Sequence, residues 1–317
     1  MSGLLSILSA IGRHGSPLLI LAGITGLAMP SLAEVARSML GPAALLLAFG
    51  AFLSTGFAAQ RAEMARRDAL LLVGWATLGV PLLGFALLVL LEPSPEVGLG
   101  IVLLAIAPPV GSAAAMAALL GLDVTLALVT SMAATLLAPL VVPPLAALLA
   151  GAELSLSAPT LALRLGAIVL GGAAAAAVAR HLAGHHRPRL REVGVGACVL
   201  GLVVIMLSVM HGMRDMLAAD ASAVGRMLLL VAAVVLVLQM AGAAVFSFMG
   251  RQRALTAGLV SGCRNVALIW AAAAPAVAGR ADAELFLACS SITVMLLPIL
   301  LRSGVRLRLV LPRFARA

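Results

Sequence analysis

Apolar runs of about twenty residues recur along the whole chain, separated only by short clusters of Arg, Asp, Glu, Pro or Gly. A helix of that length satisfies all of its own backbone groups and can cross a bilayer, and the runs lack the alternation that barrel strands require. With 63% apolar and 10% charged residues, and a mean hydropathy of +1.19, there is too little polar surface to coat a soluble globule of 317 residues. The sequence therefore predicts an all-α integral membrane protein of about ten transmembrane helices. These fall near residues 16–34, 38–59, 69–92, 97–121, 123–150, 158–180, 192–211, 226–249, 253–278 and 283–303. The first is the least regular, since Pro17 and Pro30 bracket it and Met1 to Ile11 offers a surface segment instead. No convincing cleavage site follows it, so a removed signal peptide is not expected.

The formal charge of +9 is carried entirely by arginine. A basic chain invites a nucleic-acid reading, but these arginines lie mostly in loops between spans, where membrane topology accounts for them. One side collects Arg13, Arg61, Arg66, Arg67, Arg180, Arg187, Arg189, Arg191, Arg251, Arg253, Arg302, Arg306, Arg308, Arg313 and Arg316. The other holds Arg37, Arg164, Arg214, Arg226 and Arg280, so both termini are expected in the cytoplasm. Cys198, Cys263 and Cys289 lie within spans without paired ligand spacing, and neither a disulfide framework nor a zinc site is predicted. His181, His185 and His186 belong to a basic loop. No cofactor is implied. No nucleophile with a base, carboxylate pair or metal cluster stands inside the spans, so the chain is not read as an enzyme.

One arginine does not follow topology. Arg264 sits inside the apolar stretch Ala254 to Val277, where a charge costs roughly 2.5–3.5 kcal/mol on insertion scales and is tolerated beside water, ligand or partner. Gly262-Cys263-Arg264-Asn265 should interrupt that ninth span, and Pro108-Pro109-Val110-Gly111 should interrupt the fourth. Two sets of five spans insert in opposite senses, and the fourth and ninth are equivalent positions in the two halves. Inverted repeats with discontinuous helices mark secondary transporters, whose sites lie where the broken helices cross. The expected substrate-binding residues are Arg264, Asn265, Ser112, Ser131 and Gly111, with the freed backbone supplied at Pro108, Pro109, Gly262 and Cys263. Asp123 is placed to stabilise the start of the fifth span.

Several of these landmarks resemble the bile acid:sodium symporter family. They are Ala107-Pro108-Pro109-Val110-Gly111-Ser112, Leu122-Asp123-Val124-Thr125-Leu126, Thr135-Leu136-Leu137-Ala138-Pro139-Leu140, Gly262 with Asn265, and Arg66-Arg67, Gly74 and Pro81. The resemblance implies a panel subdomain, approximately 16–59 and 158–211, and a core subdomain, approximately 69–150 and 226–303, one moving against the other. It also implies a bacterial inner-membrane carrier of a small organic anion.

Departures from the pattern fall on the sodium ligands. Val260 and Arg264 stand where the family has glutamate and glutamine, Ala113 and Ala114 where it has serine and asparagine, and Ala76 where it has glutamine. Ala127 replaces one fifth-helix hydroxyl and Ser131 keeps another. Sodium needs oxygens to replace its hydration shell, and methyl groups provide none. Sodium coupling of the usual kind is therefore not expected, which leaves uniport, proton coupling or exchange open. The guanidinium of Arg264 would take the place of the missing ion, donating to carbonyls freed by the broken helices and keeping donors for an anion. A rival places Arg264 snorkelling to the interface. Two other functions stay in view, a non-transporting sensor or scaffold on the same fold and an arsenite-type efflux carrier. Oligomeric state is not readable from the sequence.

Overall fold

The computed structural model describes residues 8, 10–12, 14–55, 63–64, 66–151, 156–183 and 190–306. Among them the chain is all-α, and its extended backbone is confined to one isolated bridge. The helices are α1 (Gly15–Ala28), α2 (Pro30–Ser38), α3 (Leu40–Ser54), α4 (Arg67–Gly74), α5 (Val80–Leu91), α6 (Pro95–Ile106) and α7 (Ala113–Leu120). Then follow α8 (Val124–Ala150), α9 (Ala158–Leu182), α10 (Leu190–Val209), α11 (Met213–Val245), α12 (Arg251–Gly262), α13 (Val266–Val277) and α14 (Ala281–Arg306). A π-helical turn, Trp75–Gly79, joins α4 to α5 in one continuous rod. The orienting arginines Arg13, Arg61, Arg187, Arg189, Arg308, Arg313 and Arg316, with His185 and His186, lie outside the described residues.

Five rods are long and apolar enough to cross a membrane by length and composition: Arg67–Leu91, Val124–Ala150, Ala158–Leu182, Leu190–Val209 and Met213–Val245. Their outer faces agree with lipid contact, since Leu90, Leu140, Leu163 and Leu229 are 73–77% exposed, which a water-soluble surface would not sustain in such density.

Two expectations are revised. The first span does not run to residue 34: α1 stops at Ala28 and the chain bends by 113° into α2. Pro30 forces Met29 out of the helical region (φ −125°, ψ 81°) and then serves as the first residue of α2. The eighth span starts earlier than 226, because Asp220 (φ −154°, ψ 87°) divides the long α11 and its carboxylate accepts from the amide of Ala223 at 3.0 Å. Pro139, Pro143 and Pro144 all lie inside α8 without ending it.

Packing divides the chain into two compact units. One comprises Met1–Gly56, Pro159–Val224 and Ala267–Ala274; the other comprises Phe57–Ala158, Gly225–Val266 and Pro275–Ala317. In the first, α3 lies along α10 so closely that a Cβ on Gly50 would come 2.5 Å from the carbonyl oxygen of Gly194. Small residues allow the backbones this approach, which is how helices associate where no hydrophobic effect separates protein from lipid. Arg180 closes the same unit by donating to the carbonyls of Phe52 and Thr55 at the end of α3, where the helix leaves acceptors unpaired.

In the second unit α8 begins with Asp123, whose Oδ1 accepts from the amide of Leu126 at 3.0 Å, the capping role expected for it. A buried apolar cluster ties together α4, α7, α8, α12 and α14 through Leu72, Ala113, Leu126, Val260 and Val294. Beside it Trp75 packs edge-on to Phe246, with ring centres 6.2 Å apart, and donates from Nε1 to Ser261 at 2.9 Å.

Candidate functional site

The site is built by prolines. In α6, residues 108 and 109 would donate to the carbonyls of Leu104 and Ala105, but neither proline has an N–H, so the helix ends at Ile106. In the π turn, Val80 donates five residues back to Trp75; the next rung, from residue 81 to Ala76, has no donor because residue 81 is proline. Three carbonyls, those of Ala76, Leu104 and Ala105, thereby lose their helical donors in the interior of one unit.

The second interruption supplies donors for two of these carbonyls. After α12 ends at Gly262, Cys263 turns out of the helix (φ −82°, ψ 79°) and α13 resumes at Val266. The two breaks meet backbone to backbone. Val110 donates to the carbonyl of Cys263 at 2.8 Å, and Asn265 donates to that of Pro108 at 2.7 Å, closing an antiparallel bridge between Pro109 and Arg264. From this bridge the Arg264 side chain turns inward: its Nη2 donates to Ala76 at 2.8 Å and to Ala105 at 2.9 Å. The residue is 1% exposed, which rules out the interfacial, snorkelling placement.

A guanidinium has five N–H groups, and two on Nη2 are used here. Nε and Nη1 are buried with no hydrogen-bond partner, and no carboxylate pairs with Arg264, among the described residues. Gly262 lets α11 press against the same break. A Cβ there would lie 2.3 Å from Cγ of Gln239 and 2.9 Å from the carbonyl of Val235.

Of the residues singled out in the sequence, Pro108, Pro109, Gly262, Cys263, Arg264 and Asn265 come together in this bridge. Gly111 and Ser112 form the turn that leads from it into α7, half-buried. Ser131 is buried in α8 and gives its hydroxyl to its own helix, at the carbonyl of Ala127, 2.8 Å away. Ala113, Ala127 and Val260, the positions where the family resemblance implies cation ligands, all belong to the buried apolar cluster, together with Val110 and Cys263.

Sequence reasoning missed an ionic hub at the start of α12. Arg253 bonds Glu63, Asp68 at 2.7 Å and Asp123 at 3.2 Å, while Arg66 approaches Glu63 at 3.4 Å. The hub pins the beginnings of α4, α8 and α12 together. Nothing in linear spacing connects positions 63, 68, 123 and 253.

Five rods long and apolar enough to span a bilayer, together with two shorter interrupted helix pairs joined through their freed backbone around a buried cation, define a polytopic membrane protein. The comparison with known families is consistent with that class: the model of the Sodium Bile acid symporter family matches residues 43–219. The chain belongs to this family, whose members are membrane transporters of bile-acid or organic-anion type. The matched residues include the first interruption and stop before the second. No curated protein matches the chain.

Proposed function

We propose that the protein is a secondary carrier of a small organic anion, working by alternating access where the two interrupted helices meet, and not coupled to sodium in the usual way. The observation that carries this reading is the Arg264 guanidinium. It is held in the buried interior by the orphaned carbonyls of Ala76 and Ala105, with Nε and Nη1 still available as donors. A planar, permanently charged fork suits a carboxylate or sulfonate. The same charge, with apolar side chains at Ala113, Ala127 and Val260 where the family resemblance implies oxygen ligands, disfavours a sodium ion.

In this reading the ten spans form two inverted five-helix repeats. The core subdomain, approximately 69–150 and 226–303, carries the site and moves against the panel subdomain, approximately 16–59 and 158–211. The arginine distribution supports cytoplasmic termini in a bacterial inner membrane. Asn265 and the turn at Gly111 and Ser112 are proposed to complete the anion's contacts.

The test is uptake of radiolabelled taurocholate and pyruvate into proteoliposomes preloaded with the same unlabelled anion, under an imposed sodium gradient, proton gradient, or neither. Uptake of one of these that persists without sodium and is abolished by Arg264→Gln is the expected result. A strict sodium requirement, or unchanged uptake by the variant, would overturn the reading.

A further inference from the structure

We infer that the protein is an obligatory exchanger of monovalent anions: it crosses the membrane readily loaded and hardly at all empty. The inference rests on the carrier reading above and adds to it the mode of transport and the charge of the substrate.

The argument is one of charge conservation in an occluded site. A carrier that relies on mobile sodium sheds that positive charge when it releases its ions. Arg264 cannot be released. Its described partners are the neutral carbonyls of Ala76 and Ala105, which orient toward the charge without cancelling it. The neighbouring cluster of Val110, Ala113, Leu259, Val260 and Cys263 is apolar and buried, so the local dielectric is low. The carboxylates near this unit's ion pairs, Glu63, Asp68 and Asp123, are engaged by Arg253.

An empty carrier must therefore pass through a state sealed from both solutions with one uncompensated positive charge. Loaded with a monoanion the site has zero net charge; loaded with a dianion it again carries one charge, of opposite sign. The insertion penalty for an arginine at the bilayer centre corresponds to roughly a hundredfold in rate. That factor separates loaded from empty reorientation, and each anion that leaves must be replaced by another before the site can return.

The experiment uses the full chain in proteoliposomes filled either with unlabelled probe or with sucrose and dilute zwitterionic buffer, and radiolabelled taurocholate or pyruvate outside. Uptake of one probe at least tenfold faster into the preloaded vesicles, and unchanged within twofold by a potassium–valinomycin potential, is expected, because one-for-one exchange moves no net charge. Equal initial rates into preloaded and probe-free vesicles would overturn exchange and leave the carrier reading standing. Uptake of neither probe in either vesicle would overturn the carrier reading, and this inference with it.

Discussion

Replacing Arg264 by Met separates what the guanidinium does for the fold from what it does for transport. The substitution removes two charge-assisted hydrogen bonds and leaves the carbonyls of Ala76 and Ala105 without donors, since residues 81 and 109 are prolines. A buried acceptor left unpaired costs about 1–3 kcal/mol, so the two together cost about 2–6 kcal/mol. Against this, the folded state no longer shelters an unneutralised ion, a penalty of several kcal/mol even after relaxation. The terms oppose each other and are of similar size. The Met variant should lie within about 2 kcal/mol of the parent, or below about 8 °C in melting temperature at 2–4 °C per kcal/mol. Transport should fall at least a hundredfold, because the proposed anion site loses its guanidinium. Size-exclusion chromatography of detergent-solubilised protein after a temperature series gives the first quantity, and proteoliposome uptake gives the second. A melting temperature lowered by more than about 15 °C would show that the arginine is chiefly a structural brace. Parental transport in a well-folded variant would remove it from the substrate path.

Gly262→Ala places a methyl 2.3 Å from Gln239 Cγ and 2.9 Å from the Val235 carbonyl, and should destabilise by about 1–3 kcal/mol; adding Gln239→Ala should restore part of the loss in the same melting assay. Arg253→Ala leaves Glu63, Asp68 and Asp123 facing one another with Arg66 as their remaining counter-ion, and should lower stability by about 1–3 kcal/mol. Melting curves at low and high salt check this, since raised salt should shrink the difference between variant and parent. Val260→Glu puts a carboxylate at a buried position four residues before Arg264, where it would compete with the substrate for the guanidinium. Uptake reduced at least tenfold in a protein that still elutes as one peak is expected, and undiminished uptake would argue against a shared site.

The interruptions were legible because proline and glycine act on the backbone locally. Pro108-Pro109 and Gly262-Cys263 announce freed groups whatever the rest of the chain does. Yet Pro143-Pro144 is the same dipeptide and α8 runs through it. The difference lies in what is opposite: the backbone at Pro108 and Val110 finds the backbone at Asn265 and Cys263, in a bridge whose central pair, Pro109 and Arg264, lies 155 residues apart (264 − 109). A linear pattern cannot see such a partner. The same blindness hid the Arg253 hub and the role of Arg180, which reads as a loop cation and instead closes α3. Pro81 was visible as a landmark, but its consequence, an unpaired carbonyl at Ala76, depends on the π turn that precedes it.

The substitutions at the site depend on one another. A carboxylate at position 260 with Arg264 present would give an internal ion pair and leave no donor charge for a substrate. A glutamine at position 264 with Val260 present would leave the carbonyls of Ala76 and Ala105 with a weaker, uncharged donor. Oxygens at Ala113 and Ala127 beside a fixed guanidinium would be acceptors competing with the anion for the same N–H groups. The arrangement observed avoids all three conflicts: apolar groups at 113, 127 and 260, one cation at 264, and two proline-freed carbonyls holding one of its nitrogens so that the others stay free. In the proposed carrier a fixed charge does the electrostatic part of an ion's work, but it cannot leave with the substrate, and the demand for a replacement anion at each turn follows from that single difference.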